Sequence, residues 1–258
     1  MNQIWLIAKG VLIEAIRRKE IYAIVLVSLL LIAGVMTVDF FKLEGISKFY
    51  REAALKIMSV ATAVTTIILA ARQLPREFEN RTIYPLLAKP VSRYRFLLGK
   101  LLGVLLAACF CFALFMTIFI IGSHYLQAPI PWGLTLQYIY LQVVMLMILA
   151  SLAFWLSLMV NLDAAITAGL VFYATSSIIT SSSLVIYEYL SGIGQLLIKA
   201  AIFLLPQLTL FDLSGKTVHP EAWDPLDLVT MIQLSGYGLV FIVIYTGLAY
   251  YCFSRRAL

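Results

Sequence analysis

Charged residues are scarce in this chain of 258 residues, since Asp, Glu, Lys and Arg make up 12% of it and apolar residues 62%. A soluble domain carries about 25% charged residues, so this composition excludes a soluble globular protein. The net charge of +6 does not indicate a nucleic-acid partner. Lys and Arg form no stripe interleaved with aromatic residues outside the loops that flank apolar runs.

Histidine and cysteine are also rare, with two and three residues respectively. Cys109 and Cys111 lie two positions apart on a predicted helix, so their side chains point about 200° apart and cannot chelate one ion. His124 and His219 are expected in outer loops, where lone histidines are usually solvated. We therefore predict no metal site, and a copper site that combines these histidines with a methionine is the less favoured alternative.

The sequence also lacks a nucleotide-binding P-loop, which requires the pattern G-x-x-x-x-G-K-[ST]. Gly99-Lys100 is preceded five residues earlier by Tyr94 and is followed by Leu101. An intramembrane enzyme would need a nucleophile with a base, or paired acids and histidines, at membrane depth. The apolar runs contain no such group, so we predict no catalytic residues and no cofactor bound by this chain.

Apolar runs dominate what is present, and six of them are long enough to span the roughly 30 Å hydrocarbon core of a bilayer. The predicted spans are Ile21–Val38, Ala53–Ala71, Phe96–Ile121, Leu136–Val160, Ala164–Tyr187 and Leu228–Phe253. The expected fold is an all-α membrane protein with six transmembrane helices in a single domain of residues 1–258.

Basic residues predict the orientation of these spans. If the N-terminus is inside, 13 of the 19 Lys and Arg residues fall in cytoplasmic segments. The positive-inside rule therefore places both termini in the cytoplasm.

Residues 1–20 precede the first span and are predicted to form an interfacial helix. Apolar residues, among them Trp5, Ala8, Val11 and Ala15, recur there at helical spacing opposite polar residues. Such a helix would lie in the plane of the inner interface with Trp5 at headgroup depth.

Residues 188–227, before the last span, are predicted to form a re-entrant outer region. The apolar run 193–211 is nearly long enough to be a seventh span, but Lys199 would lie near mid-membrane and Pro206 would interrupt the helix. A seventh span would also move Arg255 outside. Short helices that enter the outer leaflet and return fit better, provided that protein covers their backbone. A surface amphipathic helix is the alternative.

The loop of residues 72–95 joins spans two and three and is rich in basic residues. Pro75 permits a break after the second span, with residues 76–79 as a charged turn. Thr82 is a plausible N-cap for a short helix over residues 83–88, which Lys89-Pro90 would end. Ser92 would cap the next helix, with Arg93, Arg95 and Lys100 at the membrane interface. The alternative is that this loop only connects the two spans as a polar segment that obeys the positive-inside rule.

This loop resembles that of the ABC-2-type permeases of ATP-binding-cassette transporters. The residues that carry the resemblance are Glu79, Thr82, Leu86-Leu87, Pro90, Ser92-Arg93 and Gly99-Lys100. Each motif is short, but order, spacing and predicted topology agree with the family over the whole chain. The chain looks most like the small permeases grouped with the nitrous-oxide reductase, or multicopper enzyme, maturation transporter.

The resemblance implies a transport subunit in the bacterial cytoplasmic (inner) membrane. Its partners would be cytosolic ATPase subunits, which bind ATP and Mg, and a second permease copy or close relative. The helix over residues 83–88 would be the coupling helix, with Glu77 and Glu79 paired to basic residues of the ATPase. The implied coupling residues are Glu77, Phe78, Glu79, Arg81, Thr82, Ile83, Tyr84, Leu86, Leu87, Pro90 and Arg93. Tyr84-Pro85 departs from a longer, unbroken coupling helix.

Other features leave alternatives open. Hydroxyl residues of the fifth run, among them Thr175, Ser176, Thr180 and Ser183, line either the dimer seam or substrate path, or only form interhelical hydrogen bonds. Residues 219–227 either contact an extracytoplasmic accessory protein or cap the outer mouth.

A secondary transporter is the rival class, but the spans show neither mid-membrane ionisable groups nor inverted repeats. The family resemblance favours an exporter, and the sequence does not indicate its substrate.

Overall fold

The computed structural model describes residues 3–17, 22, 25–27, 29–30, 32–34, 46–79, 92–127, 129–186, 192, 194–196, 205–219, 221 and 223–255. For residues 46–47, 79 and 177–186 it describes only the helical backbone.

Within these ranges the regular structure is entirely helical, as the composition predicts. The helices whose bounds the structure describes are α1 (Gln3–Ile16), α2 (Ile46–Glu79), α3 (Arg93–Tyr125), α4 (Trp132–Met159), α5 (Leu162–Ile186), a 3₁₀ turn (Leu208–Phe211), α6 (Ser214–Val218) and α7 (Leu228–Arg255).

Four described helices are long and apolar enough to cross a membrane: α2, α3, α4 and α7. They coincide with the predicted spans two, three, four and six. The fifth predicted span is the 25-residue helix α5. Half of the first predicted span, 9 of its 18 residues, lies outside the described residues, so the count of six stays a prediction.

The helix bounds correct three local predictions. Helix α2 continues through Pro75 to Glu79, so the predicted break and charged turn are wrong. Proline removes one ladder hydrogen bond, but Leu74 is buried and Phe78 contacts the Phe253 ring edge-on at 6.2 Å, which anchors the last turn. His124 lies in the last turn of α3 rather than in a loop.

Helix α1 packs on the first half of α3 through small residues. Ala8, Val11 and Ala15 are its buried face, and Trp5 is exposed. A Cβ atom at Gly99 would lie 2.9 Å from the Ile7 Cβ, and one at Gly103 would lie 2.5 Å from the Val11 Cβ. Glycine at these two positions therefore allows the close approach of α1. The helix predicted within residues 1–20 is present as α1, and its position at a membrane interface stays a prediction.

The core lies where α4 packs between α2 and α7. Polar residues bridge its centre: the fully buried Gln142 of α4 donates to the hydroxyls of Ser59 and Thr62 of α2 at 3.3 Å each. Hydrogen bonds of this kind hold helices together where lipid offers no partner.

Residues 205–219 fold back on the helices, as a protein-covered re-entrant region requires. Leu208, Phe211, Leu213 and Val218 are buried, and Arg51 of α2 donates to the carbonyls of Pro129 and Val218 at 2.8 and 3.1 Å. Residues 197–204, with Lys199, lie outside the described part of the chain.

Candidate functional site at the base of the loop

The ends of the loop between α2 and α3 are joined by a cluster that we call the loop-base cluster: Gln73, Glu77, Phe78, Phe96, Lys100 and Phe253. These residues come from the last two turns of α2, the first two turns of α3 and the last turn of α7. Three helices therefore meet where the loop leaves and re-enters the helical domain.

Lys100 is the centre of the cluster. Its Nζ donates to Glu77 Oε1 at 2.5 Å and to Gln73 Oε1 at 3.3 Å. It also lies 5.8 Å from the centroid of the Phe96 ring. Lys100 is buried between α2 and α3. Its position at the membrane interface stays a prediction.

Aromatic rings connect the cluster to the last helix. Phe253 of α7 stacks on Phe96 with centroids 6.0 Å apart and meets Phe78 edge-on at 6.2 Å. Aromatic pairs in these geometries add about 0.5–1.5 kcal/mol beyond their burial. The C-terminal turn of α7 is thereby packed against both stems of the loop.

Polar contacts at the rim extend these connections. Arg93 Nη1 donates to the Ser254 carbonyl at 2.8 Å, and Arg95 Nη1 donates to Gln3 Oε1 of α1 at 3.4 Å. Arg76 lies 3.9 Å from Glu14 of α1. Ser92 caps α3, accepting a hydrogen bond from the Arg95 amide, as predicted. A displacement of either stem would therefore act on α1 and α7 as well.

The predicted coupling residues divide into two groups. Glu77 and Phe78 belong to the loop-base cluster and Arg93 lies at its rim, whereas only the backbone of Glu79 is described. The remaining ones lie outside the described residues: Arg81, Thr82, Ile83, Tyr84, Leu86, Leu87 and Pro90. Glu77 pairs with Lys100 of its own chain. Its predicted pairing with basic residues of an ATPase stays a prediction.

Sequence reasoning missed Gln73 and Phe253. A helical reading through Pro75 would have placed Gln73 and Glu77 four residues apart on one face. Nothing in the sequence predicts that Phe253 joins this cluster, because the contact between α2 and α7 depends on how the helices pack on each other.

The predicted polar face of α5 is partly described. Ser176 is buried, donates to the Pro206 carbonyl at 2.9 Å and accepts from the Leu208 amide at 3.1 Å. It therefore connects α5 to residues 206–208. Thr175 is half-buried, and the side chains of Thr180 and Ser183 lie outside the described residues.

An ion pair connects α2 to the segment after the 3₁₀ turn. Lys56 Nζ donates to Asp212 Oδ2 at 2.6 Å, and the Ser214 amide donates to Asp212 Oδ1 at 3.0 Å. Burial opposes ionisation of Asp212, but Lys56 and Ser214 together hold the pKa of its carboxyl below the ordinary value. Among the described residues, no group of three or more His, Cys, Asp and Glu residues could hold a metal ion.

The comparisons with known proteins agree with the architecture. The family model described as ABC-2 family transporter protein matches residues 5–258. No curated protein is similar enough to the chain to count as a match. Members of this family are transmembrane subunits of ABC transporters, generally without a catalytic site of their own. Because the family model covers nearly the whole chain, this multi-pass membrane protein belongs to the ABC-2 family of transporter proteins.

Proposed function

We propose that the chain is the permease subunit of an exporter and that a separate ATPase drives it through the loop of residues 80–91. The observation that carries this proposal is the loop-base cluster. Its ion pair and aromatic contacts join both stems of the loop to each other and to α7. A force applied to the loop would act on several spans at once.

The mechanism follows from the rigidity of these contacts. Packed helices respond to a displacement by moving between discrete arrangements rather than deforming continuously. Closure of two ATPases around ATP and Mg would push the coupling helices, tilt α2 and α3, and switch a central cavity between inward and outward access. Two permease copies, or this chain and a close relative, would enclose that cavity.

Orientation follows from charge. The loop base carries Arg76, Arg93 and Arg95, and α7 ends at Arg255. By the positive-inside rule these ends would lie in the cytoplasm, and the family resemblance implies a bacterial inner membrane. Thr175, Thr180 and Ser183 remain candidates for the substrate path or dimer seam. Residues 219–227 remain candidates for an accessory-protein contact, and the likeness to the nitrous-oxide reductase maturation group stays a prediction.

Recovery of the ATPase from native membranes tests the proposal. The full-length chain is solubilised gently and captured as wild type and as Leu86→Asp plus Leu87→Asp. Wild type should retain a nucleotide-binding subunit, identified by mass spectrometry from its P-loop. The double variant should lose it, because two carboxylates would be placed in an apolar contact.

The control carries the same charge change at the opposite end of the helices. Leu228→Asp plus Val229→Asp alters two adjacent exposed residues in the first turn of α7. Carboxylates there are favoured by the helix dipole, so this variant should fold and retain the ATPase. If wild type recovers no ATPase, or if both double variants retain it equally, coupling through this loop is refuted.

A further inference from the structure

An apolar groove runs along the bundle between α3, α4 and α7, on a different side of α3 from the Lys100–Glu77 pair. Its volume is about 400 Å³, and it is lined by apolar side chains such as Leu98, Leu102 and Val243 together with Gly247. A Cβ atom at Gly247 would meet no atom within 4 Å. The groove is therefore open beside this glycine.

The groove has the length of one membrane leaflet. Its lining on α3 extends from Tyr94 to Leu105, which is about 16 Å at the rise of an α-helix. Half of a hydrocarbon core of roughly 30 Å is about 15 Å. An extended acyl chain of the leaflet nearer to the loop would fit along it.

The mouth of the groove is aromatic and basic. Tyr94 and Tyr250 meet edge-to-face there, with centroids 5.8 Å apart. Arg93 bridges α3 and α7 by donating to the Ser254 carbonyl at 2.8 Å, and the Arg255 guanidinium lies 4.4 Å from the Tyr251 ring. Neither α3 nor α7 contains Asp or Glu. No carboxylate side chain of these two helices neutralises the positive charge at this end.

A buried hydroxyl lies among the apolar lining residues. Thr246 lines the groove, and its buried Oγ1 has no hydrogen-bond partner within the described part of the chain. A buried hydroxyl without a partner is unfavourable by about 1–3 kcal/mol. An ester carbonyl of a bound lipid would accept its hydrogen bond.

We propose that this groove binds an acyl chain of an anionic phospholipid, whose phosphate contacts Arg93 and Arg255. Tyr94 and Tyr250 would lie at the depth of the headgroup, where amphipathic rings are favoured. Charge complementarity selects an anionic lipid over a zwitterionic one. The site goes beyond the proposed function and rests on it only in assigning the lipid to the inner leaflet.

Native mass spectrometry of the purified full-length chain tests the site. The protein is mixed with equal amounts of dioleoylphosphatidylglycerol and dioleoylphosphatidylcholine in detergent. Wild type should bind the anionic lipid about fivefold or more in excess, since a single basic residue near an anionic headgroup contributes about that factor.

Four variants separate the parts of the proposal. Gly247→Leu fills the groove and should reduce binding of both lipids, whereas Gly236→Leu, at another open position of α7 outside the groove, should not. Arg93→Gln plus Arg255→Gln should leave acyl-chain binding but bring the two lipids close to equal occupancy. Thr246→Val keeps the shape and should weaken both lipids alike.

Two results would overturn the proposal: equal binding of the two lipids by wild type, or unchanged binding by Gly247→Leu. Equal thermal unfolding of the two glycine variants excludes misfolding as the cause of a difference. The assay contains neither ATPase nor substrate, so its failure is distinguishable from failure of the proposed transport function.

Discussion

Lys100 and Glu77 form an ion pair between α3 and α2, with Nζ 2.5 Å from Oε1 and only 8% and 17% of their side chains exposed. This pair closes the base of the loop that we propose to receive force from an ATPase. Breaking a buried pair by removing one partner destabilises by about 3–5 kcal/mol, whereas replacing both by apolar groups is often neutral.

The first prediction is a double-mutant cycle on this pair. Lys100→Met should lower the unfolding temperature markedly, because the Glu77 carboxylate loses its ammonium partner in a buried site. Lys100→Met plus Glu77→Leu should recover most of the loss. Thermal unfolding of the full-length chain in one detergent measures all variants. Additive effects of the two changes would contradict the coupling.

The same cycle tests function. If the pair transmits force, the double variant should remain folded but show weaker stimulation of the ATPase by the permease. Unimpaired stimulation in the folded double variant would show that the pair is only structural.

The second prediction concerns the close contact of α1 with α3. Gly103→Ala places a Cβ atom 2.5 Å from the Val11 Cβ and 2.9 Å from the Ala8 carbonyl. Overpacking of this kind destabilises by about 1–3 kcal/mol. Protease cleavage within α1 should become faster than in wild type.

Gly10→Ala is the matched control for that prediction, because a Cβ atom there meets nothing within 4 Å. Alanine in a helix is favoured over glycine by about 0.5–1 kcal/mol, so this variant should be neutral or more stable. Equal cleavage of both variants would argue against the described packing.

The third prediction concerns Arg51, which is 4% exposed and whose two terminal nitrogens donate to carbonyls of Pro129 and Val218. Arg51→Lys keeps the charge but loses the planar fork. Hydrogen exchange of residues 205–219 should become faster, because one of their anchors to α2 is weakened.

Lys48→Gln supplies the comparison, since it removes an exposed pair with Glu221 at 3.2 Å. Exposed pairs contribute about 0–1 kcal/mol, so exchange in 205–219 should stay close to wild type. Faster exchange in Lys48→Gln than in Arg51→Lys would contradict this assignment.

The fourth prediction concerns Gln142, whose amide bridges α4 to Ser59 and Thr62 of α2. Interhelical hydrogen bonds in membrane proteins contribute about 0.6 kcal/mol on average and about 1.7 at most. Gln142→Met should therefore lower stability only slightly in an unfolding titration. A loss of several kcal/mol would contradict this prediction, because it exceeds what interhelical hydrogen bonds contribute.

Length and hydropathy were enough to predict the helical class and the positions of α2, α3, α4, α5 and α7. A spanning helix must satisfy its backbone within itself, so each apolar run predicts a helix almost independently of its neighbours. The N-cap at Ser92 could also be predicted from the sequence, because a cap involves residues only three apart. The helical continuation through Pro75 was not, since contacts of Leu74 and Phe78 with distant residues outweigh the local effect of proline.

The amino-acid sequence by itself determined the membrane class, the apolar runs and the motifs that resemble ABC-2 permeases, all of which depend on composition and short spacing. Only the tertiary structure decided that Glu77 pairs with Lys100, that Phe253 closes the loop base, and that α3 and α7 leave a groove beside Gly247. Those relationships join residues far apart in the chain. They arise from which helix faces pack together, and helical periodicity alone does not specify a partner for each face.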